Sequence, residues 1–124
     1  MSGCYCDGGD HPETYRHGEV AKSRKEYRCC ECGKRLPVGS AFQFFWGVWS
    51  GDAATYRTCF DCVAFKDWCE AHVPCICWNS FGSMIDDALE TMREYDDECP
   101  GLYAETQGKV EALYAARAAA KLEA

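Results

Sequence analysis

Two C-x-x-C pairs, an alternating apolar run between them and helical periodicity from the second pair onward predict an α+β fold. The pairs are Cys29/Cys32 and Cys59/Cys62. The expected order is a knuckle, a β-hairpin and a helix, followed by C-terminal α-helices. Residues 1–78 are expected to form the first unit. Residues 79–124 are expected to form a helical hairpin that packs on it or mediates association.

Along the chain, residues 1–19 contain Cys4, Cys6, His11, Pro12 and His17 among Gly and Asp, without periodicity, and read as a pinned loop or a loose arm. Residues 20–28 are basic and read as a short helical turn or strand entering the knuckle. In Cys29-Cys30-Glu31-Cys32-Gly33, the glycine allows the positive φ of a tight turn, so that backbone N–H groups point at sulfur. Residues 41–49 predict a strand, with Phe42, Phe44, Trp46 and Val48 on one face and Phe45 and Trp49 on the other. Ser50-Gly51-Asp52 is turn chemistry, and residues 54–58 are the return strand.

After Cys59, the residues Phe65, Trp68, Cys69 and His72 fall on a helical stripe that Pro74 ends. A second helix is predicted from Phe81, Met84, Ile85, Ala88, Leu89, Met92 and Tyr95, with Asn79 or Ser80 as N-cap. Pro100-Gly101 breaks the chain, and a last helix is expected over 103–122, with Tyr103, Thr106, Val110, Leu113, Tyr114 and Arg117 on one side.

The chain has 124 residues and is 48% hydrophobic, which suits one folded domain with a helical appendage and excludes disorder by composition. No stretch reaches the ~18 apolar residues of a membrane helix. Residues 1–10 have neither the basic start nor the apolar core of a signal peptide. The expected location is therefore the cytoplasm, where eleven clustered cysteines point to metal rather than to disulfides. The formal charge is −7, with −1 on residues 1–77 and −6 on residues 78–124.

Zinc takes four ligands in a tetrahedron, and two residues between paired cysteines let both sulfurs reach one ion. The 26 residues between Cys32 and Cys59 suit a hairpin that brings the pairs together. A second pair at a helix start stabilises thiolates through the helix dipole. This layout is that of a small treble-clef-like zinc finger with Cys29, Cys32, Cys59 and Cys62 as Zn2+ ligands. Cys30 stands at C-x-C spacing from Cys32 and is read as a bystander, with Cys29 the favoured ligand. Cys4/Cys6 and Cys75/Cys77 form a second set, expected to hold a second zinc and to clip residues 1–77 into one unit; His11, His17 or His72 is an alternative fourth ligand there. Cys69 and Cys99 read as helical cysteines without a metal role.

Arg24 to Cys29, Glu31-Cys32-Gly33, Thr58-Cys59-Phe60-Asp61-Cys62, Asp67-Trp68 and Pro74-Cys75-Ile76-Cys77-Trp78 resemble a family of small, mostly uncharacterised phage and prophage proteins. The resemblance covers about residues 4–78. It implies a zinc-binding fold and a phage origin, hence a bacterial host cell, and it carries no catalytic residues.

A closed four-sulfur shell, a hairpin without histidine and the lack of nucleophile, phosphate-loop or H-E-x-x-H motifs argue against an enzyme. The expected function is a phage-type accessory protein acting by protein–protein contact with a host protein, as an inhibitor of a host defence system. The apolar hairpin and the acidic run at residues 80–98 support it. The alternative is a small nucleic-acid-binding zinc finger regulator, using Lys22, Arg24, Lys25, Arg28, Lys34 and Arg35 with Phe45, Trp46, Trp49 and Tyr56 as stacking groups. The apolar face of the last helix suits either a monomer or a homodimer.

Overall fold

A computed structural model describes residues 12–78 and 80–123, with side chains up to residue 115. Its elements are β1 (Thr14–Val20), β2 (Tyr27–Arg28), β3 (Arg35–Leu36), β4 (Phe42–Trp49), β5 (Asp52–Thr58), α1 (Phe60–His72), α2 (Met84–Tyr95) and α3 (Leu102–Glu123). The fold is α+β: three helices, a two-stranded sheet formed by β2 and β3, and a three-stranded antiparallel sheet in the order β1-β4-β5.

The hairpin β4–β5 stands where its alternation placed it. Its two turn residues, Ser50 (φ 52°) and Gly51 (φ 84°), both adopt the left-handed region that matches the twist of a tight hairpin. The third strand corrects the reading of residues 1–19. Thr14–Val20 pairs antiparallel with β4, Arg16 facing Trp46 and Gly18 facing Phe44. It lacks apolar alternation because it is an edge strand, held by the ladder to β4 rather than by burial of its own side chains.

Helix α1 starts at Phe60, directly after Cys59, and ends before Pro74. Cys62, Phe65 and Cys69 are its buried stripe. His72, expected on that stripe, is exposed; its ring lies 4.4 Å from that of Trp68 and its Nδ1 is 2.8 Å from the Trp68 carbonyl oxygen.

Helix α2 begins three residues later than Phe81, at Met84, with Ser83 rather than Ser80 at the N-cap; Asn79 lies outside the described residues. Phe81 is not helical. Its ring stacks on Tyr56 (4.5 Å, 6° between planes) and lies 5.1 Å from Phe45. Tertiary stacking takes a residue whose spacing fits the helix. Gly101 (φ 92°) turns the chain into α3. One buried cluster runs from the four paired cysteines through Phe42 and Phe65 to Met92, Val110 and Leu113, so both C-terminal helices share its core. No helix among the described residues is long and apolar enough to cross a membrane.

Candidate metal centre

The knuckle is built from backbone geometry. Gly33 has φ 77°, and its N–H donates to the Cys29 carbonyl at 3.0 Å, closing the turn. That turn aims amides at sulfur: Glu31 N lies 3.4 Å from Cys29 Sγ and Lys34 N lies 3.4 Å from Cys32 Sγ. The other pair comes from the start of α1. Cys59 occupies the N-cap with extended backbone, and its own N–H donates to Cys29 Sγ at 3.3 Å. Its side chain makes no cap hydrogen bond because its sulfur turns toward the cluster.

Cys29, Cys32, Cys59 and Cys62 are buried, and their four sulfurs lie within 4.8 Å of one another. Cys29 and Cys62 are 3.8 Å apart, and Cys32 and Cys59 are 3.7 Å apart. A tetrahedron with Zn–S bonds of about 2.3 Å has sulfur–sulfur edges of about 3.8 Å, whereas a disulfide would bring two sulfurs to about 2 Å. The cluster therefore has the dimensions of a four-thiolate zinc site. Its electrostatics favour a cation there. Contact with Cys32 holds Cys29 far below the ordinary thiol value, and contact with Cys29 holds Cys62 far above it. Packed sulfurs cannot all ionise without a cation, and a divalent ion at their centre removes the conflict. Three backbone amides and the positive end of α1 offset the remaining negative charge.

Cys30 stays outside the cluster, as expected. Its sulfur lies 3.4 Å from Thr58 Oγ1, and burial pushes its thiol up to about 12. Glu31, between the two ligands of the knuckle, is not in the four-sulfur cluster, and its Oε2 lies 3.8 Å from Cys30 Sγ. Its Oε1 accepts the N–H groups of Gly82 at 3.1 Å and Met84 at 3.2 Å. Sequence reasoning gave Glu31 no role, and a contact across more than fifty residues leaves no local signal.

Of the second cysteine set, Cys4 and Cys6 lie outside the described residues, as does His11. Cys75 and Cys77 are half-buried and disulfide-bonded. His17 lies on β1, its ring 6.3 Å from that of Phe45, and like His72 it is not in the four-sulfur cluster.

The hairpin aromatics divide between the two sheet faces. Phe45, Trp49 and Tyr56 line a cavity of about 440 Å³, closed by Val63 and Lys66 of α1 and by Trp78, Phe81 and Met84. Trp46 is on the other face, opposite Arg16. The basic run at residues 22–35 also divides. Lys34 pairs with Asp61 at 3.2 Å and Arg35 with Glu26 at 3.0 Å, while Lys22 and Arg24 line a separate groove with Arg57.

Comparison of the chain with protein-family models, with curated proteins and with solved structures finds no match.

Proposed function

We propose that this chain is a zinc-stapled binding module with no catalytic step of its own. Its plan reads as treble-clef-like: the Cys29/Cys32 knuckle, the β4–β5 hairpin, and a helix that begins at the Cys59/Cys62 pair. The observation that carries the reading is the closed shell of four buried sulfurs. A zinc ion with four thiolates has no open position for water or substrate, so it contributes folding free energy and geometry rather than chemistry. When bound, the ion fixes the knuckle against the start of α1. The residues around it then hold surfaces in place.

One of those surfaces is acidic. Asp86, Glu90 and Glu94 follow one another at intervals of four on α2 and are exposed, and exposed Asp97 and Glu98 continue the run. Such an array complements a basic protein surface, and charge of this kind governs encounter rate and choice of partner. Taken with the resemblance to small phage and prophage proteins, this supports an accessory role in a bacterial cytoplasm: contact with a host protein that inhibits a defence system.

Affinity capture from host lysate with the zinc-loaded chain, followed by cross-linking mass spectrometry, tests the reading. A specific host protein should cross-link near α2 and be lost from the Glu90→Lys/Glu94→Lys variant. Equal capture by that variant would overturn the acidic-face contact.

A further inference from the structure

We propose that the sheet face bearing Phe44 and Trp46 binds single-stranded nucleic acid, gripped in a groove by Lys22, Arg24 and Arg57. This goes beyond the protein-contact reading and uses none of the α2 carboxylates on which that contact rests.

Strand register assigns the face. Arg16 and Val20 of β1, Phe42, Phe44 and Trp46 of β4, and Thr55 and Arg57 of β5 all point to one side. At its lower end, the segment carrying Lys22, Arg24 and Tyr27 rises beside the sheet and leaves a groove of about 300 Å³. Its floor is Phe42, Phe44 and Tyr27; its rim is the three cations; among the described residues, no carboxylate lines it. Among the described residues, neither ion pair involves Lys22, Arg24 or Arg57. In a chain with a formal charge of −7, a groove whose described lining holds three cations and no acid is a local reversal of sign.

The groove is also preorganised. Ser23, buried between Lys22 and Arg24, donates its N–H to the Ser40 carbonyl at 2.8 Å and accepts from the Gly39 N–H at 2.9 Å. Its hydroxyl lies 2.7 Å from the Lys25 carbonyl and 3.1 Å from that of Pro37. The backbone between the two cations is thereby fixed, so little ordering remains to be done on binding. Arg57 lies over Tyr27 with its Cζ 3.8 Å from the ring centroid, which holds the guanidinium over the aromatic floor.

Up the strand, the same pairing repeats where Arg16 lies 5.2 Å over Trp46. From Phe44 to Trp46, half-buried rings thus lie among cations along about 7 Å of strand, over the buried ring of Phe42. Phosphates match the cations and bases match the rings. A duplex hides its base faces by stacking, whereas a single strand offers them, and this favours the unpaired form.

The test is fluorescence anisotropy of a labelled oligothymidylate of about 12 nucleotides, and of a duplex of equal length, with the full zinc-loaded chain. The single strand should bind in the micromolar range, with the duplex at least about ten-fold weaker. The log affinity should fall with log salt at a slope of about −2, as expected for three neutralised phosphates on a single strand. Lys22→Glu and Arg24→Glu should each weaken binding about ten-fold or more. Trp46→Ala should weaken it about five-fold at unchanged salt slope, and Trp46→Phe should restore it. Lys25→Glu, outside the groove, should leave it unchanged, and so should Glu90→Lys/Glu94→Lys. Zinc content and circular dichroism establish that each variant is folded. The proposal is overturned by any of four results from folded protein: no binding at 50 mM salt, equal binding of the duplex, equal loss in Lys25→Glu, or displacement by inorganic phosphate or a phosphopeptide as effective as by unlabelled oligonucleotide.

Discussion

The carboxylate of Glu31 caps helix α2, accepting the Met84 N–H at 3.2 Å from a position between two cysteines of the metal cluster. Helix α2 has no local side-chain cap: Ser83 stands at the N-cap, but its hydroxyl lies against the Ser80 carbonyl and the Asp87 carboxylate. A remote carboxylate supplies what the local sequence does not, and it favours the positive end of the helix. Glu31→Ala should lower stability by about 1–3 kcal/mol, because the buried Met84 amide loses its acceptor. It should retain its metal. Urea unfolding with parallel zinc analysis checks both; loss of zinc together with stability would mean that Glu31 acts on the knuckle instead.

Removing the metal should cost far more. Zinc binding to small structural sites contributes about 10–16 kcal/mol at neutral pH, as much as a domain's whole net stability. A strong chelator, or Cys62→Ser at a residue with 0% exposure, should collapse the near-ultraviolet spectrum and leave residues 29–62 open to protease. Protons compete with zinc for thiolate, so metal is held at neutral pH and released as pH falls. A chromogenic chelator titrated downward in pH reads this directly.

The adjacent cysteines separate cleanly. Cys29→Ser should abolish tight zinc binding, whereas Cys30→Ser should leave one ion per chain in the cluster, because the Cys30 sulfur faces Thr58 instead of the other sulfurs. Native mass spectrometry counts the ions.

Cys69 and Cys99 should differ in reactivity. Burial pushes the Cys69 thiol up to about 12, and the residue is 0% exposed. Cys99 is exposed. Alkylation at pH 8 followed by peptide mapping should label Cys99 rapidly and Cys69 only after unfolding. Because the folded state holds the Cys69 proton more tightly than the unfolded chain does, its contribution to stability is present below about pH 9. That contribution is lost as pH rises toward about 12.

The parts of this molecule that could be read from sequence are those whose determinants are local. The C-x-x-C spacing placed the four sulfurs, Gly33 announced the knuckle turn, alternation marked β4, and Pro74 and Gly101 bounded helices. The parts that could not be read depend on distant partners. β1 acquires its identity from β4. Phe81 leaves the helical pattern for Tyr56, and Glu31 reaches across to Met84. The basic run at residues 22–35 looked continuous, yet folding ties Lys34 and Arg35 to acids and joins Lys22 and Arg24 to Arg57, a residue outside it. Charge counted along a chain does not determine charge counted across a surface.

Strand β1 lies at an edge of the three-stranded sheet. An edge is where a stranger's backbone can add itself, and repeated addition leads to fibrils. This edge carries Arg16, His17 and Glu19 around Gly18, beside an exposed Tyr15. The same polarity that hides the strand from periodicity analysis also makes this edge a poor template for a second copy. Replacing those three side chains with valine would make the strand easy to recognise and the protein hard to keep dissolved.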